Sequence, residues 1–169
     1  MFLSGGGTVG FFHLGLIRVL IERDLMPNVL VGASAGSMMC AFVGTRTKDE
    51  ILHSIKNGLS DLDLSPFYNE KKESILRKFI RFVKFGYFID KKPLMEVLKI
   101  NTKNMTFKEA YDHSGCLINI SVTDSVYEQC KILNHVTAPN VYVWSAVLAS
   151  CSLPGAFSPT KILAVNSKN

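Results

Sequence analysis

Apolar and polar positions along this chain switch repeatedly between a strand-like and a helix-like period. Met1-Phe2-Leu3 is a short apolar run entering the glycine run Gly5-Gly6-Gly7, and from Phe11 to Arg23 apolar residues recur at helical spacing. Met26-Pro27-Asn28 breaks that helix. Val29-Leu30-Val31 resumes as a β-branched strand, and Gly32-Ala33-Ser34-Ala35-Gly36 leads into an apolar helix over Ser37 to Val43. The order strand, glycine turn, helix therefore occurs twice within about 45 residues. A βαβ crossover is nearly always right-handed and puts the carboxyl ends of both strands at one sheet edge, so the two glycine turns should meet there.

The later pattern is also mixed. Thr47 opens a helix with Asp49 and Glu50 in its first turn, running towards Gly58, and Ser60 to Asn69 is a polar link. Leu94 to Lys99 is helical by spacing, and Thr106-Phe107-Lys108-Glu109 matches a capping box. Leu117 to Thr123 alternates as a strand does, Val141 to Ser150 fits a buried helix, and Leu153-Pro154-Gly155 stops it. No repeat of solenoid length and no low-complexity tract interrupts this order. The pattern predicts one α/β domain over residues 1–169 with a mainly parallel central sheet.

Composition adds limits to that picture. A chain of 169 residues with 47% hydrophobic and 20% charged content has the make-up of a single globular domain. Cys40, Cys116, Cys130 and Cys151 are scattered without a C-x-x-C pair, which favours reduced, mostly buried thiols over a disulfide framework or a zinc site. Leu25 to Thr45 and Ile132 to Thr160 carry no charge, but prolines and glycines interrupt both, so buried strands and turns account for them better than a membrane span. Met1-Phe2-Leu3 has no basic region before a long apolar run and is not patterned as a signal peptide, so an intracellular address is expected.

The net charge of +5 is local: residues 70–92 hold eight Lys or Arg against three acids, and the rest of the chain holds eleven of each. Within that segment Ile75 to Tyr87 winds into an amphipathic helix, with Ile75, Phe79, Ile80 and Phe82 on one face and Arg77, Lys78, Arg81 and Lys84 on the other. An ordinary surface helix has this pattern, and so does an interfacial helix on anionic lipid, where each base adds roughly 1 kcal/mol. No nucleic-acid-binding module accompanies the bases, so nucleic acid is not an expected partner.

The chemistry lies in the two glycine turns. Gly32-Ala33-Ser34-Ala35-Gly36 fits the G-x-S-x-G nucleophile elbow, in which a sharp strand-to-helix turn pushes a serine hydroxyl into the open at a helix N-terminus. Gly5, Gly6, Gly7 and Gly10 supply backbone amides unshielded by Cβ atoms at the same predicted edge, as an oxyanion hole requires. Two alternatives use some of the same residues. Gly5, Gly7 and Gly10 also satisfy G-x-G-x-x-G of dinucleotide sites, but the acidic residue that should end the second strand is missing, since Asp24 lies before that strand. Ser34, Asp112 and His135 follow the Ser-Asp-His order of α/β-hydrolases.

The motif S-G-G-G near the start and G-x-S-x-G 27 positions after Gly5, with no histidine placed as an obvious base, resemble the patatin-like phospholipase family. Leu133 to Val141, Trp144 to Cys151 and Leu153-Pro154-Gly155-Ala156-Phe157 resemble the branch that contains fungal and plant triacylglycerol lipases. The resemblance implies a three-layer α/β/α fold and a Ser-Asp dyad that needs no metal or organic cofactor. It also implies a lipid ester substrate and a peripheral site of action, and it makes the interfacial reading of Ile75 to Tyr87, as a contact to a membrane or lipid droplet, more attractive. By it Ser34 is the nucleophile and Gly5, Gly6 and Gly7 bind the oxyanion. Val9 departs from the family, many of whose members carry a base there. The family's aspartate lies in an Asp-Gly turn after the L-P-x-x-F segment, and none of the seven aspartates here precedes a glycine. The expectation is therefore a domain truncated before its catalytic Asp, its C-terminal part missing. The alternative is a catalytically impaired lipid-surface binding protein of the same fold.

Overall fold

The computed structural model describes residues 1–59, 62, 84, 89–124, 126–158 and 160–165. Apart from Leu62 and Lys84, the polar link after Ser60 and the amphipathic stretch Ile75 to Tyr87 lie outside these described residues. The elements in order are β1 (Phe2–Leu3), a 3-10 turn (Gly7–Phe11), α1 (Phe12–Glu22), β2 (Val29–Gly32), α2 (Ala35–Gly44) and α3 (Lys48–Lys56). They continue with α4 (Lys92–Asn101), α5 (Phe107–Ser114), β3 (Leu117–Thr123), β4 (Cys130–Leu133) and α6 (Val143–Cys151).

The strands form one sheet in the order β1-β2-β3-β4, with β1, β2 and β3 parallel and β4 antiparallel to β3. Register aligns Leu3 with Gly32 and Gly32 with Ile120, so the loops leaving β1 and β2 emerge at the same edge. The two glycine turns meet there, as the crossover rule requires. Alternation then sorts the side chains by face. Leu3, Leu30, Ile118, Ile120 and Val122 are buried with the helices, whereas Phe2 and Ile132, at the opposite phase, are 84% and 50% exposed.

Helix α2 is the centre of the core. Every residue from Ala35 to Gly44 is buried except Met38, and a helix apolar on all sides is stable only where it is enclosed. It packs on β1, β2 and β3 and against α6 and the 3-10 turn. Fully buried Ile17, Leu30, Phe107, Ile120 and Leu148 surround it, each worth roughly 1.5–3 kcal/mol of transfer free energy. At its C-terminus the buried Arg46 donates to the Asn101 carbonyl at 2.8 Å and lies 4.7 Å over the Phe42 ring, a cation where the helix dipole is negative.

Both capping boxes form. Thr47 and Glu50 exchange bonds at the start of α3, as Thr106 and Glu109 do at the start of α5. Glu50 also joins three elements, since its carboxylate accepts from Lys103 at 2.6 Å and contacts His113 Nε2 at 2.9 Å. Burial raises its pKa, but the Lys103 ammonium, the Thr47 amide and His113 outweigh this and hold the carboxyl at about 2. A carboxyl depressed in the folded state stabilises it above the unfolded pKa, and that contribution disappears as pH falls through the folded one. Glu50→Gln is thus expected to lower Tm at pH 7, with the gap to the parent closing between about pH 4.5 and pH 2. Thermal melts at pH 7, 5 and 3 would show this, and a gap independent of pH would remove the electrostatic explanation.

Candidate active site

Helix α2 begins two residues earlier than the apolar pattern indicates, at Ala35, which makes Ser34 its N-cap. Ser34 has φ 49° and ψ −121°, a backbone state that side chains rarely adopt and that costs about 1–3 kcal/mol unless its surroundings impose it. The surroundings do impose it. Ala33 N–H donates to the Leu3 carbonyl at 3.2 Å, Gly36 N–H to the Ala33 carbonyl at 2.9 Å, and Ser37 N–H to the Ser34 carbonyl at 2.8 Å. The Ser37 hydroxyl donates to the same Ser34 carbonyl at 2.5 Å.

The glycines are explained by close approach. A Cβ on Gly36 would collide with the Leu3 carbonyl oxygen, and one on Gly32 would sit 2.6 Å from the Gly36 oxygen. One on Gly10 would sit 2.5 Å from Ala35 Cβ, so the 3-10 turn and the elbow are in contact through the absence of a side chain. Gly5 touches Ser34 itself: a Cβ there would lie 3.1 Å from Ser34 Cβ and 3.8 Å from Ser34 Oγ. Gly6 is different, because its nearest such neighbour is Val9 Cβ at 3.7 Å. Among the described residues none accepts a hydrogen bond from the Gly5, Gly6 or Gly7 amides. His13 Nε2 lies 3.1 Å from the Ser4 carbonyl and steadies the entry to this loop.

Ser34 opens into a cleft of about 170 Å³ lined by Gly7, Gly10, Phe11, Ala35, Met38, Met39, Leu94, Cys151, Leu153 and Phe157. Apart from Ser34 and Cys151 its side chains are apolar. A smaller recess of about 40 Å³ shares Phe11, Met38, Met39 and Leu94 with it and continues towards Phe42 and Leu98. Burial pushes the Cys151 thiol up to about 11, although the Ser34 and Ser37 hydroxyls within its hydrogen-bonding reach oppose the rise. It is a neutral thiol, not a thiolate nucleophile.

The other candidate groups lie elsewhere. Helix α5 runs into the amino end of β3, and β4 returns the chain towards that end, so Asp112 and His135 lie towards the edge opposite Ser34. Asp112 is paired with Lys108 at 2.8 Å, and His135 is stacked on Tyr111 with ring centroids 3.9 Å apart. The Ser-Asp-His triad is therefore not assembled. Asp24 pairs with Lys48 at 2.5 Å beyond the end of α1 and does not approach the glycine loop, which removes the ribose contact a dinucleotide would need. Asp124 is at the same edge as Ser34, but Lys131 and the Val126 and Tyr127 amides hold it in the β3-β4 turn and keep its pKa at about 2. Sequence reasoning missed Met38, Leu94 and the Ser150-Cys151 end of α6 as parts of the site. The helix itself was marked by its apolar run and by the stop at Leu153-Pro154-Gly155, but nothing in that run placed its end beside Ser34.

Residues 1–166 match the model of the patatin-like phospholipase family. The chain belongs to that family. It is 42% identical over 165 residues to triacylglycerol lipase 5 of Saccharomyces cerevisiae, covering 95% of this chain and 22% of the yeast protein. It is 36% identical over 165 residues to triacylglycerol lipase SDP1L of Arabidopsis thaliana, covering 97% of this chain and 20% of that protein. The chain thus spans about a fifth of the length of these relatives. Among solved structures, full-length ExoU of Pseudomonas aeruginosa in complex with SpcU superposes with a TM-score of 0.57 at 19% identity, over 90% of this chain and 38% of ExoU. That likeness shows the fold, and the patatin-like assignment accounts for the mainly parallel sheet with the elbow at its edge.

Proposed function

We propose that this patatin-like domain is a serine acyl-ester hydrolase that acts on triacylglycerol or phospholipid at a lipid surface. The observation that carries the proposal is Ser34 held at φ 49° at the mouth of an apolar cleft, with the Gly5 backbone against it. In this reaction Ser34 Oγ attacks the ester carbonyl carbon and its proton passes to a general base. The carbonyl oxygen becomes an oxyanion facing the amides of Gly5, Gly6 and Gly7, each such donor being worth roughly 3–4 kcal/mol of barrier. The alcohol leaves, and water then releases the acyl group from Ser34. The apolar cleft and its recess suit an aliphatic chain, at roughly 0.8 kcal/mol per buried methylene.

A lipid surface is supported by the rim. Val9 and Phe12 adjoin the cleft residues Gly10 and Phe11 and are 63% and 81% exposed, and Leu153 lines the cleft while 61% exposed. No described helix is long and apolar enough to cross a membrane, so contact through such a rim would be peripheral.

The base in this proposal is the aspartate of a Ser-Asp dyad. Among the described residues no carboxylate lines the cleft, and Asp24, Asp112 and Asp124 are each engaged by a lysine. The same observation favours a second function, a lipid-surface binding module with an idle serine. Labelling by an alkyl fluorophosphonate separates them. Residues 1–169 are expected to label at Ser34 about 100-fold to 10,000-fold more slowly than a chain that also carries an Asp-Gly turn, which is the usual contribution of a general base. Equal rates would place a base among residues 1–169, and labelling at another residue would end the case for Ser34.

A further inference from the structure

The backbone amide of the proposed nucleophile has a partner far away in sequence. Ser34 N–H donates to Ser150 Oγ at 2.8 Å, across a separation of 116 residues. The next residue, Cys151, lines the same cleft as Ser34. One end of α6 thus holds the main chain of Ser34 and adjoins it in the cleft. The helix is well braced for this: Val143, Ala146, Val147 and Leu148 are buried, and Trp144 Nε1 donates to Asn104 Oδ1 at 2.9 Å near its start.

The bond matters because of the conformation it constrains. As the N-cap of α2, Ser34 gives the helix its carbonyl, whereas its amide has no partner within the helix. Without Ser150 it would be a partly buried donor with no acceptor, at a cost that favours rotation of the peptide towards an ordinary backbone state. Such a rotation would carry Oγ off its line into the cleft. Gly36 and Gly5 limit where the elbow can be, and Ser150 fixes how its peptide is turned.

We infer that Ser150 is a positioning residue for Ser34: its hydroxyl holds the nucleophile's amide and, with it, the left-handed backbone that presents Oγ to substrate. The inference rests on the proposed role of Ser34. It is tested in a chain that also carries the Asp-Gly turn, with Ser150→Ala and with the isosteric pair Ser150→Thr, which keeps the hydroxyl, and Ser150→Val, which replaces it by methyl. Three quantities are read: the rate constant of fluorophosphonate labelling at Ser34, the kcat and KM for a p-nitrophenyl ester, and Tm.

Ser150→Thr should behave like the parent. Ser150→Val and Ser150→Ala should lose about tenfold to a hundredfold in labelling rate constant and in kcat, with KM changed by less than about twofold, as expected for a misplaced reacting group. Every folded molecule should still label at long times. Parent-like rate constants in the Val and Ala variants would overturn the inference. So would a reduced labelled fraction with an unchanged rate constant, because that reports only unfolding. If Val prevents folding, the Ala variant decides. A parent that hydrolyses no ester and does not label at Ser34 would remove the proposed function and this inference together, whereas a labelling parent with indifferent variants would remove this inference alone.

Discussion

In a chain that hydrolyses a long-chain ester, Ser34→Ala is expected to lower kcat by at least about 10,000-fold, to the level left by binding and oxyanion contacts alone. The reason is local. Among the described residues Ser34 Oγ is the one alkyl hydroxyl that lines the cleft, and the neighbouring Cys151 cannot replace it, since burial keeps its thiol protonated with a pKa of about 11. The substitution leaves the Ser34 backbone, its amide bond to Ser150 and its carbonyl bonds from α2 in place, so Tm should move by less than about 3 °C. Ester turnover and Tm measured on one preparation decide the matter. Turnover surviving in a folded variant would mean that another group attacks the carbonyl, and a lost fold would mean that Ser34 serves the elbow rather than the reaction.

Local signals were the ones legible in the sequence. Thr47 with Glu50 and Thr106 with Glu109 cap their helices as their spacing indicates, because a capping box needs only four consecutive residues. The strand Leu117–Thr123 forms with the bounds its alternation marks. Where the chain departs from the pattern, tertiary contact is the cause. Within the glycine turn, Gly7 to Phe11 coils into a 3-10 turn that the local pattern does not mark, and Gly10 there packs against Ala35. Strand β4 was missed because Cys130-Lys131-Ile132-Leu133 is mostly exposed and owes its existence to pairing with β3.

The candidate site divides along the same line. Ser34 and its glycines were legible because a serine at φ 49° beside close-packed backbone needs those residue types at that spacing. Ser150 was not, because nothing in Leu148-Ala149-Ser150-Cys151 announces a hydrogen bond to an amide 116 residues earlier. The order Ser34, Asp112, His135 shows the converse hazard. Chain order fits a triad, and the sheet then sends Asp112 and His135 towards the wrong edge.

Gly5 and Gly36 lie in matching turns of the two strand-turn-helix units, and their replacement is expected to fail in opposite ways. Gly5 is exposed, and its missing side chain points at Ser34, with Cβ positions 3.1 Å apart. Gly5→Val would put methyl groups beside Ser34 Oγ and would restrict the backbone whose amide the proposed reaction aims at the oxyanion. The loss of alignment and of a donor should together cost about 1,000-fold or more in kcat/KM. Few buried contacts change, so the variant should melt close to the parent. Gly36 is buried, and a Cβ there meets the Leu3 carbonyl, which cannot move without unpairing β1 from β2. Gly36→Ala is therefore expected to destabilise the fold by about 3 kcal/mol or more, the upper range for forcing an extra carbon into a packed core. Where Gly36→Ala does fold, its elbow is displaced and its turnover falls as well. Thermal melts and ester kinetics on the two variants provide the comparison. A Gly5→Val protein that keeps parent-like kcat/KM would take the first glycine turn out of the reaction, and a Gly36→Ala protein as stable as the parent would mean that α2 does not lie as close to β1 as the contact between Gly36 and Leu3 requires.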